Sequence, residues 1–456
     1  YDASSTISTG TEYVALRANS GSSNIFIDGL ELRGPFYGTT VTPSYRSIGI
    51  HIQGRYDQYF YDNANYPNNP SVTPTDVSSN INITNCKIDG FGQSGVLADN
   101  INNFSCSNNT ITNIVRDGVR TYGCKDFDIS HNIIDNMSDG FPGEGTSPNT
   151  NVYGISATRI YHSTAADGST TDYRPSQRGI ISNNRVSNCA NWKALDTHGG
   201  TDITFDSNII YNAHIGIGID KGGATLGDGY GPPRRLIVTN NIILAGPDNT
   251  EKKRAAITLF ANDDTDNNIG LDFVISGNIF EGFGTNSAGN DGGLSISNCK
   301  FVNVSNNIFK NQTKRGIRLQ NTVEECVIAN NIFRDITQVS SYAAGINISN
   351  AKCRANVCGN TFHQESSLGT MQALSTTTPD SGYGAKLSDD NAFYGDVTSI
   401  DNINRLADSS FFSRSDFHTV SSDGKLGGSL PASVKSNINS ASDVASLKTA
   451  ILGLFQ

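Results

Sequence analysis

One short motif recurs along most of the chain and constrains the fold more than any other feature. An alternating apolar segment is followed by a polar pair that ends in Asn, and then by a second strand-like pair. The copies read FSCSNNTI, FDISHNII, GIISNNRV, ITFDSNII, LIVTNNII, FVISGNIF, VNVSNNIF, CVIANNIF and ANVCGNTF. Their asparagines are Asn109, Asn132, Asn184, Asn208, Asn241, Asn278, Asn307, Asn331 and Asn360, with Cys86 in the same position one repeat earlier. The shortest spacing, from 86 to 109 and from 109 to 132, is 23 residues, and a period of this size is typical of stacked repeats.

A second strand-like segment recurs once in each repeat. Its copies are SGVLADN, DGVRTYG, YGISATR, KALDTHG, IGIGIDK, AAITLFA, GGLSISN, RGIRLQN and AGINISN. Alternation with period two is typical of β-strands, and a repeat this short buries its apolar side chains only by stacking on its neighbours. The sequence therefore predicts an all-β, right-handed parallel β-helix of about eleven or twelve coils, the hand following from the usual crossover preference. The recurring Asn is expected at a left-handed corner, where stacked side chains can hydrogen-bond along the axis.

The repeat stops near residue 363, and this end of the repeat divides the chain into two predicted regions. Residues 1–363 are predicted to form the β-helix, which would carry catalysis or receptor binding, and residues 364–456 a C-terminal module. Near the end, Val444, Leu447, Ile451 and Leu454 are spaced like one seam of a helix, with Ser442 as a possible N-cap. We expect a helix over 442–455 that either caps the last coil or mediates self-association.

Charge and cysteine content exclude several functional classes. The formal net charge is −10 and the pI is about 5.2, without a basic run, so nucleic-acid binding is not expected. No apolar run is long enough to insert into a membrane. The eight cysteines are scattered without paired spacing, which predicts buried free thiols, synthesis in a reducing cytoplasm, and neither a metal site nor a cofactor. The chain lacks an initiating Met, so a removed N-terminal part is expected.

Alignment of the second strand brings together a small set of reactive residues. With Val96, Val119, Ile155, Leu195, Ile217, Ile257, Leu294, Ile317 and Ile346 in register, the following residue and the one two further on point outward. Asp196 and His198 then share one face of a strand, and Asp220 lies beside His198 on the next coil. Gly218 lies next to Asp196 and leaves room above it. The three polar side chains are therefore predicted to meet on the outer surface.

Long insertions surround the same coils. They fall at 134–153, 160–179, 221–235, 244–255, 262–271 and 281–292, and loops on a rigid scaffold commonly carry function. We expect them to wall a groove and to add two further candidate catalytic residues, Asp139 and Glu144. The candidate substrate-binding residues are Trp192, Lys193, Lys221, Tyr122, Tyr161, Arg159 and Tyr230.

Three readings of this patch remain open. Paired carboxylates such as Asp196 and Asp220 suit hydrolysis of a glycosidic bond, one as acid and the other as base or nucleophile. Elimination on a uronate would instead use His198 or a Tyr as base and Lys221, Lys193 or an Arg to hold the carboxylate. In the third reading the patch is a solvated polar stripe on a non-catalytic, carbohydrate-binding adhesin. Endo-glycosidic hydrolysis is the preferred prediction.

The NNI coils, the ALDTHGG and GIGIDKGG strands and the apolar end helix together resemble bacteriophage tailspike depolymerases, and more loosely the pectate-lyase-like β-helix proteins. That resemblance implies a homotrimer on a virion tail or baseplate, attached through the removed N-terminal part. It also implies that the partner is a bacterial surface polysaccharide, capsule or O-antigen, which the protein binds and depolymerises at the cell surface. The family has no fixed catalytic motif, so the site residues above come from the register alone.

Overall fold

The computed structural model describes residues 13–19, 21–35, 47–52, 77–137, 152–158, 175–221, 232–246, 254–261, 269–284, 292–337, 343–350, 352–376, 383–388 and 390–401. Apart from a 3₁₀ turn at Ser366–Leu368, the regular elements of these residues are β-strands. The described residues contain no helix that is both long and apolar enough to cross a bilayer.

The strands stack into three parallel ladders, each of which gains one strand per coil. Ladder 1 consists of β1 (Tyr13–Ala18), β4 (Ser47–Ile52), β7 (Ser94–Asp99), β10 (Asp117–Tyr122), β13 (Tyr153–Thr158), the second halves of β15 (Arg185–His198) and β17 (Ile209–Asp220), β20 (Ala255–Phe260), the first halves of β23 (Gly292–Ser305) and β25 (Arg315–Ala329), β27 (Ala344–Ile348), β30 (Met371–Thr376) and β33 (Val397–Asp401).

The other two ladders complete a three-sided coil. Ladder 2 consists of β2 (Ser23–Asp28), β5 (Ser78–Thr84), β8 (Ile101–Ser107), β11 (Lys125–Ser130), β14 (Gln177–Ser182), β16 (Thr201–Asp206), β18 (Arg234–Thr239), β21 (Gly270–Ser276), the second halves of β23 and β25, β28 (Cys353–Cys358) and β31 (Gly384–Leu387). Ladder 3 consists of β3 (Glu31–Arg33), β6 (Lys87–Asp89), β9 (Thr110–Ile114), β12 (Ile133–Met137), the first halves of β15 and β17, β19 (Ile242–Leu244), β22 (Ile279–Glu281), β24 (Ile308–Lys310), β26 (Ile332–Arg334), β29 (Thr361–Gln364) and β32 (Ala392–Gly395).

The predicted parallel β-helix is thus confirmed, and so is the predicted register of ladder 1. Val96 pairs with Val119, Val119 with Ile155 and Ile155 with Leu195. The same register continues through Ile217, Ile257, Leu294, Ile317 and Ile346. Because the ladder stays in register, each outward residue lies beside its counterpart on the neighbouring coil.

A buried asparagine ladder holds the corner between ladders 2 and 3. Asn208 donates from Nδ2 to Oδ1 of Asn241 over 3.0 Å, and its own Oδ1 accepts from the backbone N–H of Asn184 over 3.0 Å. The predicted stacking is therefore confirmed. The left-handed residue, however, is the one before the ladder position, such as Asn183 with φ 55° or Asn240 with φ 57°. The expectation that the ladder Asn itself adopts this conformation is wrong, because its side chain must point inward to bond along the axis.

The interior of the coils is apolar. Phenylalanine rings stack along ladder 3, with centroids 4.9 Å apart for Phe309 and Phe333 and 4.8 Å for Phe333 and Phe362. The eight cysteines are free thiols, and the expected burial is confirmed for seven of them, while Cys358 is partly exposed. Burial raises the pKa of the Cys124 thiol to about 12, so this side chain behaves as an apolar core residue.

The repeat continues past the boundary that the sequence predicts at residue 363. Strands β30 and β33 extend ladder 1, while β31 and β32 extend ladders 2 and 3 in parallel register. The coils therefore reach Asp401, because Ser, Thr and Gly can occupy outward strand positions as well as turns. The predicted helix over 442–455 lies outside the described residues.

Candidate functional site

The register brings the three reactive residues of the sequence analysis together on the outer face of ladder 1. Asp196 and His198 lie near the end of β15, and Asp220 ends β17. Asp196 pairs in register with Gly218, and His198 pairs with Asp220. This placement agrees with the one predicted from the alternating pattern.

A fourth residue, Lys193, occupies the centre of this group. The register between β15 and β17 shifts between Cys189 and Lys193, and the next two residues, Ala194 and Leu195, both pack into the core. The irregularity turns Lys193 outward, where a regular alternation would point it into the core. Its side chain passes over Gly218, where an added Cβ would lie 2.4 Å from Cδ of Lys193.

The Lys193 ammonium joins the two carboxylates. Its Nζ donates to Oδ1 of Asp196 over 2.7 Å and also to Oδ2 of Asp220. The side chains of Lys193 and Asp196 are 1% and 0% exposed, whereas 22% of the Asp220 side chain is exposed. From the sequence, Lys193 is expected to bind substrate, but the structure buries its ammonium and bonds it to two carboxylates.

Burial and charge act in opposite directions on these groups. Burial would raise the pKa of Asp196, but the charges of His198 and Lys193 and their hydrogen bonds outweigh it and hold that pKa below its usual range. Burial would lower the pKa of Lys193, but the charges of Asp196 and Asp220 outweigh it and raise that pKa. Asp196 therefore stays ionised and Lys193 stays protonated, as expected for a paired buried charge.

His198 lies at the edge of the group, with 32% of its side chain exposed. Its Nε2 is 3.3 Å from Oδ2 of Asp196, 3.4 Å from Nζ of Lys193 and 4.0 Å from Oδ2 of Asp220. The other ring nitrogen, Nδ1, has no hydrogen bond to the part of the chain that the structure describes. A carboxylate that accepts from one imidazole nitrogen leaves the other as the proton-transfer atom.

Two buried side chains that the sequence analysis did not select support this arrangement. Ser156 donates from Oγ to Oδ2 of Asp196 over 3.0 Å from the preceding coil. The ring of Tyr153 meets His198 edge-on, with centroids 6.3 Å apart. Burial and the charge of Asp196 raise the pKa of Tyr153 to about 12. The strand register indicates both contacts, because Tyr153 pairs with Lys193 and Ser156 pairs with Asp196.

The structure also describes three further candidate substrate-binding residues. Trp192 is partly buried against the core and stacks on His214, with centroids 5.7 Å apart. Tyr122 is only 7% exposed and packs with Ile48 and Leu97, so it forms part of an apolar cluster and not of an open binding surface as expected. Lys221 directly follows Asp220 and is half-buried.

Five candidates cannot be placed. Asp139, Glu144, Arg159, Tyr161 and Tyr230 lie outside the described residues, as does most of each predicted groove-forming insertion. Their roles stay predictions.

The same group is the one place in the described part of the chain where His and carboxylate atoms could converge on a metal ion. One ligand atom each from Asp196, His198 and Asp220 lies within 4.8 Å of the others. The Lys193 ammonium sits among these atoms at hydrogen-bonding distance, so it already supplies the positive charge that the carboxylates require. The Lys193 ammonium therefore takes the place among these ligand atoms that a metal ion would otherwise occupy.

A second polar cluster lies further towards the N-terminus on the same face. Nε2 of His51 is 3.0 Å from Oδ2 of Asp99, and both side chains are almost fully buried. Asp117 pairs with Arg120 over 3.1 Å and lies 3.4 Å from the Ser94 hydroxyl. Burial raises the pKa of both Asp99 and Asp117 against the opposing effect of their partners. Buried polar pairs therefore extend along ladder 1, and among the described residues of the two clusters the most exposed side chains are His198 and Asp220, compared with 11% for Arg120.

A groove of about 950 Å³ lies elsewhere, on the outer face of ladder 2. It is lined by Asp202, Arg235, Ile237, Val274 and Phe301, among others. Its charged side chains include the exposed pair Arg235 and Asp202, joined by two hydrogen bonds of 2.5 and 2.9 Å. This groove has no His and no buried charge, so its size alone does not make it the reactive site.

Among the comparisons with known proteins, a family model bears on the fold. One similar solved structure is an alginate lyase from Paenibacillus sp. str. FPU-7, with a TM-score of 0.40 and 14% identity over 66% of this chain and 92% of that chain. Another is PfbA, a surface adhesin of Streptococcus pneumoniae, with a TM-score of 0.47 and 12% identity over 83% of this chain and 85% of that chain. A third is the tailspike protein of E. coli bacteriophage HK620, with a TM-score of 0.38 and 13% identity over 85% of this chain and 59% of that chain. No curated protein matches the sequence significantly. The family model described as a right handed beta helix region matches residues 79–269, and the chain accordingly carries a right-handed parallel β-helix, as its repeats predict.

Proposed function

We propose that this protein is a polysaccharide-cleaving enzyme in which His198 transfers the proton and Asp220 is the second group that faces the substrate. The observation that carries this proposal is the bonding of Lys193 to both Asp196 and Asp220, with His198 at the solvent edge. Asp196 and Lys193 are buried, so they do not touch the substrate. They hold His198 and Asp220 in position and set the charge around them.

This arrangement argues against the preferred sequence prediction, in which Asp196 and Asp220 act as an acid and base pair. A general acid must hold a proton, yet the ammonium between these carboxylates keeps Asp196 ionised. Its side chain is also fully buried, so it cannot reach a glycosidic oxygen.

Elimination on a uronate fits the exposed groups better. Nδ1 of His198 takes the proton next to the uronate carboxylate, and that electron pair forms a carbon–carbon double bond as the bond to the glycosidic oxygen breaks. The leaving oxygen receives a proton from water. The ammonium of Lys221, beside Asp220, neutralises the substrate carboxylate while charge develops on it.

One observation favours hydrolysis as a second candidate. The Asp220 carboxylate is 22% exposed and accepts a hydrogen bond from the Lys193 ammonium, so it can face a sugar as a nucleophile. In that reading, Asp220 attacks the sugar and a residue of the loops, such as Glu144 or Asp139, supplies the proton.

We propose that the polymer is a bacterial surface polysaccharide, and that the chain acts as a homotrimer on a virion tail, attached through an N-terminal part. The support is the similarity of its repeated coils and site strands to tailspike depolymerases.

The test is digestion of purified capsules and O-antigens by the full chain, followed by size-exclusion chromatography and ultraviolet absorbance. We expect shortened chains that absorb in the ultraviolet because they carry an unsaturated uronate. Shortened chains without absorbance would favour the hydrolase, and intact polymer throughout would contradict both.

A further inference from the structure

Two apolar surfaces lie side by side on the faces of the β-helix that do not carry the reactive group. The exposed large apolar side chains of the described residues lie on ladders 2 and 3 or at the turn between them, and none of them lies on ladder 1. A single exposed apolar side chain is ordinary, but a contiguous apolar surface indicates contact with another molecule.

The first surface is a stripe of stacked isoleucines on the outer face of ladder 3. They pair in register from coil to coil and comprise Ile209, Ile242, Ile279, Ile308 and Ile332. All five are exposed or half-buried, and Ile209 is 47% exposed. At the usual spacing of strands the ladder-3 stripe forms an apolar ridge about 19 Å long, parallel to the axis of the β-helix.

The second surface is the groove of about 950 Å³ on ladder 2. Its lining includes the exposed side chains of Ile237, Val274 and Phe301, the last of them 49% exposed. Phe301 has a φ of 58°, a left-handed conformation that is costly for a bulky residue. Because neighbouring coils carry the polar residues Asp272 and Glu325 at this position, the aromatic ring adds nothing to the core and suits an apolar contact outside the chain.

The ladder-2 groove and the ladder-3 stripe occupy the same coils. Residues of β16, β18, β21, β23 and β25 line the groove, and the strand that follows each of them in ladder 3 carries one isoleucine of the stripe. Rotation of one copy about an axis parallel to the β-helix therefore brings its stripe to the groove of the next copy at the same height. A head-to-tail contact without an axial shift closes into a ring and does not extend into a filament.

The corner between the two surfaces leaves both accessible. In each of these coils only two residues join ladder 2 to ladder 3, from Ser207–Asn208 to Asn330–Asn331. The long insertions instead join ladder 1 to another ladder, as residues 159–176 do between β13 and β14. Neighbouring copies can therefore approach this corner closely, while ladder 1 and its reactive group stay at the periphery.

The available area is large enough for a stable contact. The twelve described strands of ladder 2 extend over about 53 Å, and a strip of this length and about 20 Å in width covers about 1,000 Å². A stable protein–protein contact buries about 800 Å² on each partner. The exposed ion pairs Arg178–Asp126 on ladder 2 and Lys310–Glu281 on ladder 3 would supply the polar rim around the apolar centre.

We infer that the ladder-2 groove of one copy binds the ladder-3 stripe of the next copy, so that copies of this chain form a closed ring with their reactive groups facing outward. This inference names the contact surface of the homotrimer in the proposed function and rests on that proposal for the number of copies. The proton transfer at His198 does not depend on it.

The experiment measures the mass of the full chain by sedimentation equilibrium. Ile237→Lys/Val274→Lys places two cations in the groove, and Ile209→Lys/Ile242→Lys places two cations in the stripe. Each variant leaves the other surface intact, so the two can also be mixed.

The control is Gln320→Lys/Ser349→Lys, which adds the same charge at two half-buried positions at the ends of ladder-1 strands. Circular dichroism and thermal unfolding verify that every variant is folded.

We expect the wild-type chain and the control to have the mass of three chains. The groove variant and the stripe variant should each associate about a hundredfold more weakly or less, because the contact would bury unpaired ammonium groups. A mixture of these two variants should form pairs and nothing larger, because only one intact groove meets one intact stripe.

A wild-type chain that is not trimeric, trimers in either of the two variants, or a mixture without pairs would overturn the inference. A groove variant that still forms dimers would indicate a two-fold contact of stripe with stripe, which also contradicts it. If the wild-type chain cuts a polysaccharide as a monomer, the ring fails and the cleavage reaction stands. If the ring assembles through these surfaces but no polysaccharide is cut, the reverse holds.

Discussion

Lys193 and Asp196 form an ion pair, 2.7 Å from Nζ to Oδ1, that is buried on the outer face of the β-helix with no more than 1% of either side chain exposed. Solenoid coils normally place charges where water can reach them, because an unpaired buried charge is costly. The pair persists because Asp220 and His198 complete its surroundings and Gly218 leaves space for the lysine stem. The two residues that reach solvent, His198 and Asp220, are held in place by the two that do not.

Replacing Lys193 by Met should destabilise the fold strongly. The substitution keeps the length of the stem but leaves Asp196 buried without its counter-charge, which typically costs about 3–5 kcal/mol. Urea unfolding at neutral pH measures the difference. Lys221→Met is the matched control, because it removes a less buried ammonium from the same strand end and should cost about 1 kcal/mol or less. Similar losses in both variants would contradict the pairing.

The contribution of Asp196 to stability should depend on pH in a defined direction. Its pKa in the folded state lies below the unfolded value of about 3.9, so its contribution is present above about pH 4 and is lost as the pH falls through the folded pKa. Lys193 has a raised folded pKa, so its contribution is present below about pH 10.4 and is lost only as the pH rises through that folded pKa.

Asp196→Asn tests this by comparison with the wild-type chain. The difference in the free energy of unfolding should be constant near neutral pH and should shrink as the pH falls below about 4. A difference that stays constant or grows on acidification would show that Asp196 is not held ionised.

Gly218→Ala should disturb the reactive group without altering any charge. The new Cβ would lie 2.4 Å from Cδ of Lys193, and this stem is buried and held at its tip, so the ammonium must move. Displacement of a positioning group by about 1 Å can lower a rate by about a hundredfold. We expect kcat to fall with little change in KM, whereas Thr204→Ala on ladder 2 should leave kcat unchanged. Equal kcat values would contradict the role of Gly218.

Asn208→Ala should reveal how much one position of the asparagine ladder contributes. The buried amide bonds the carbonyl of Ile181 over 2.9 Å and Asn241 over 3.0 Å, and it accepts from the backbone of Asn184. Its removal leaves buried partners unsatisfied, at about 1–3 kcal/mol for each group. Thermal or urea unfolding against the exposed Asn303→Ala control measures the loss, and equal stability would contradict the ladder's role.

Much of this arrangement could be predicted from sequence because a parallel ladder carries each register position from coil to coil. Once Leu195 and Ile217 are aligned, the neighbours of Asp196 and His198 follow by counting, and the structure confirms them. Counting fails at Lys193, because Ala194 and Leu195 both face the core and the alternation shifts by one. Pattern alone therefore located the carboxylates and named Lys193 as a binding residue, but it did not place the Lys193 ammonium between them.

Digestion of a susceptible polysaccharide in oxygen-18-labelled water, with mass spectrometry of the products, tests the central claim most directly. We expect wild-type products to carry an unsaturated end and no label, and we expect His198→Ala to lower their yield by about a thousandfold while remaining folded. Labelled, saturated reducing ends, formed equally well by His198→Ala, would contradict it.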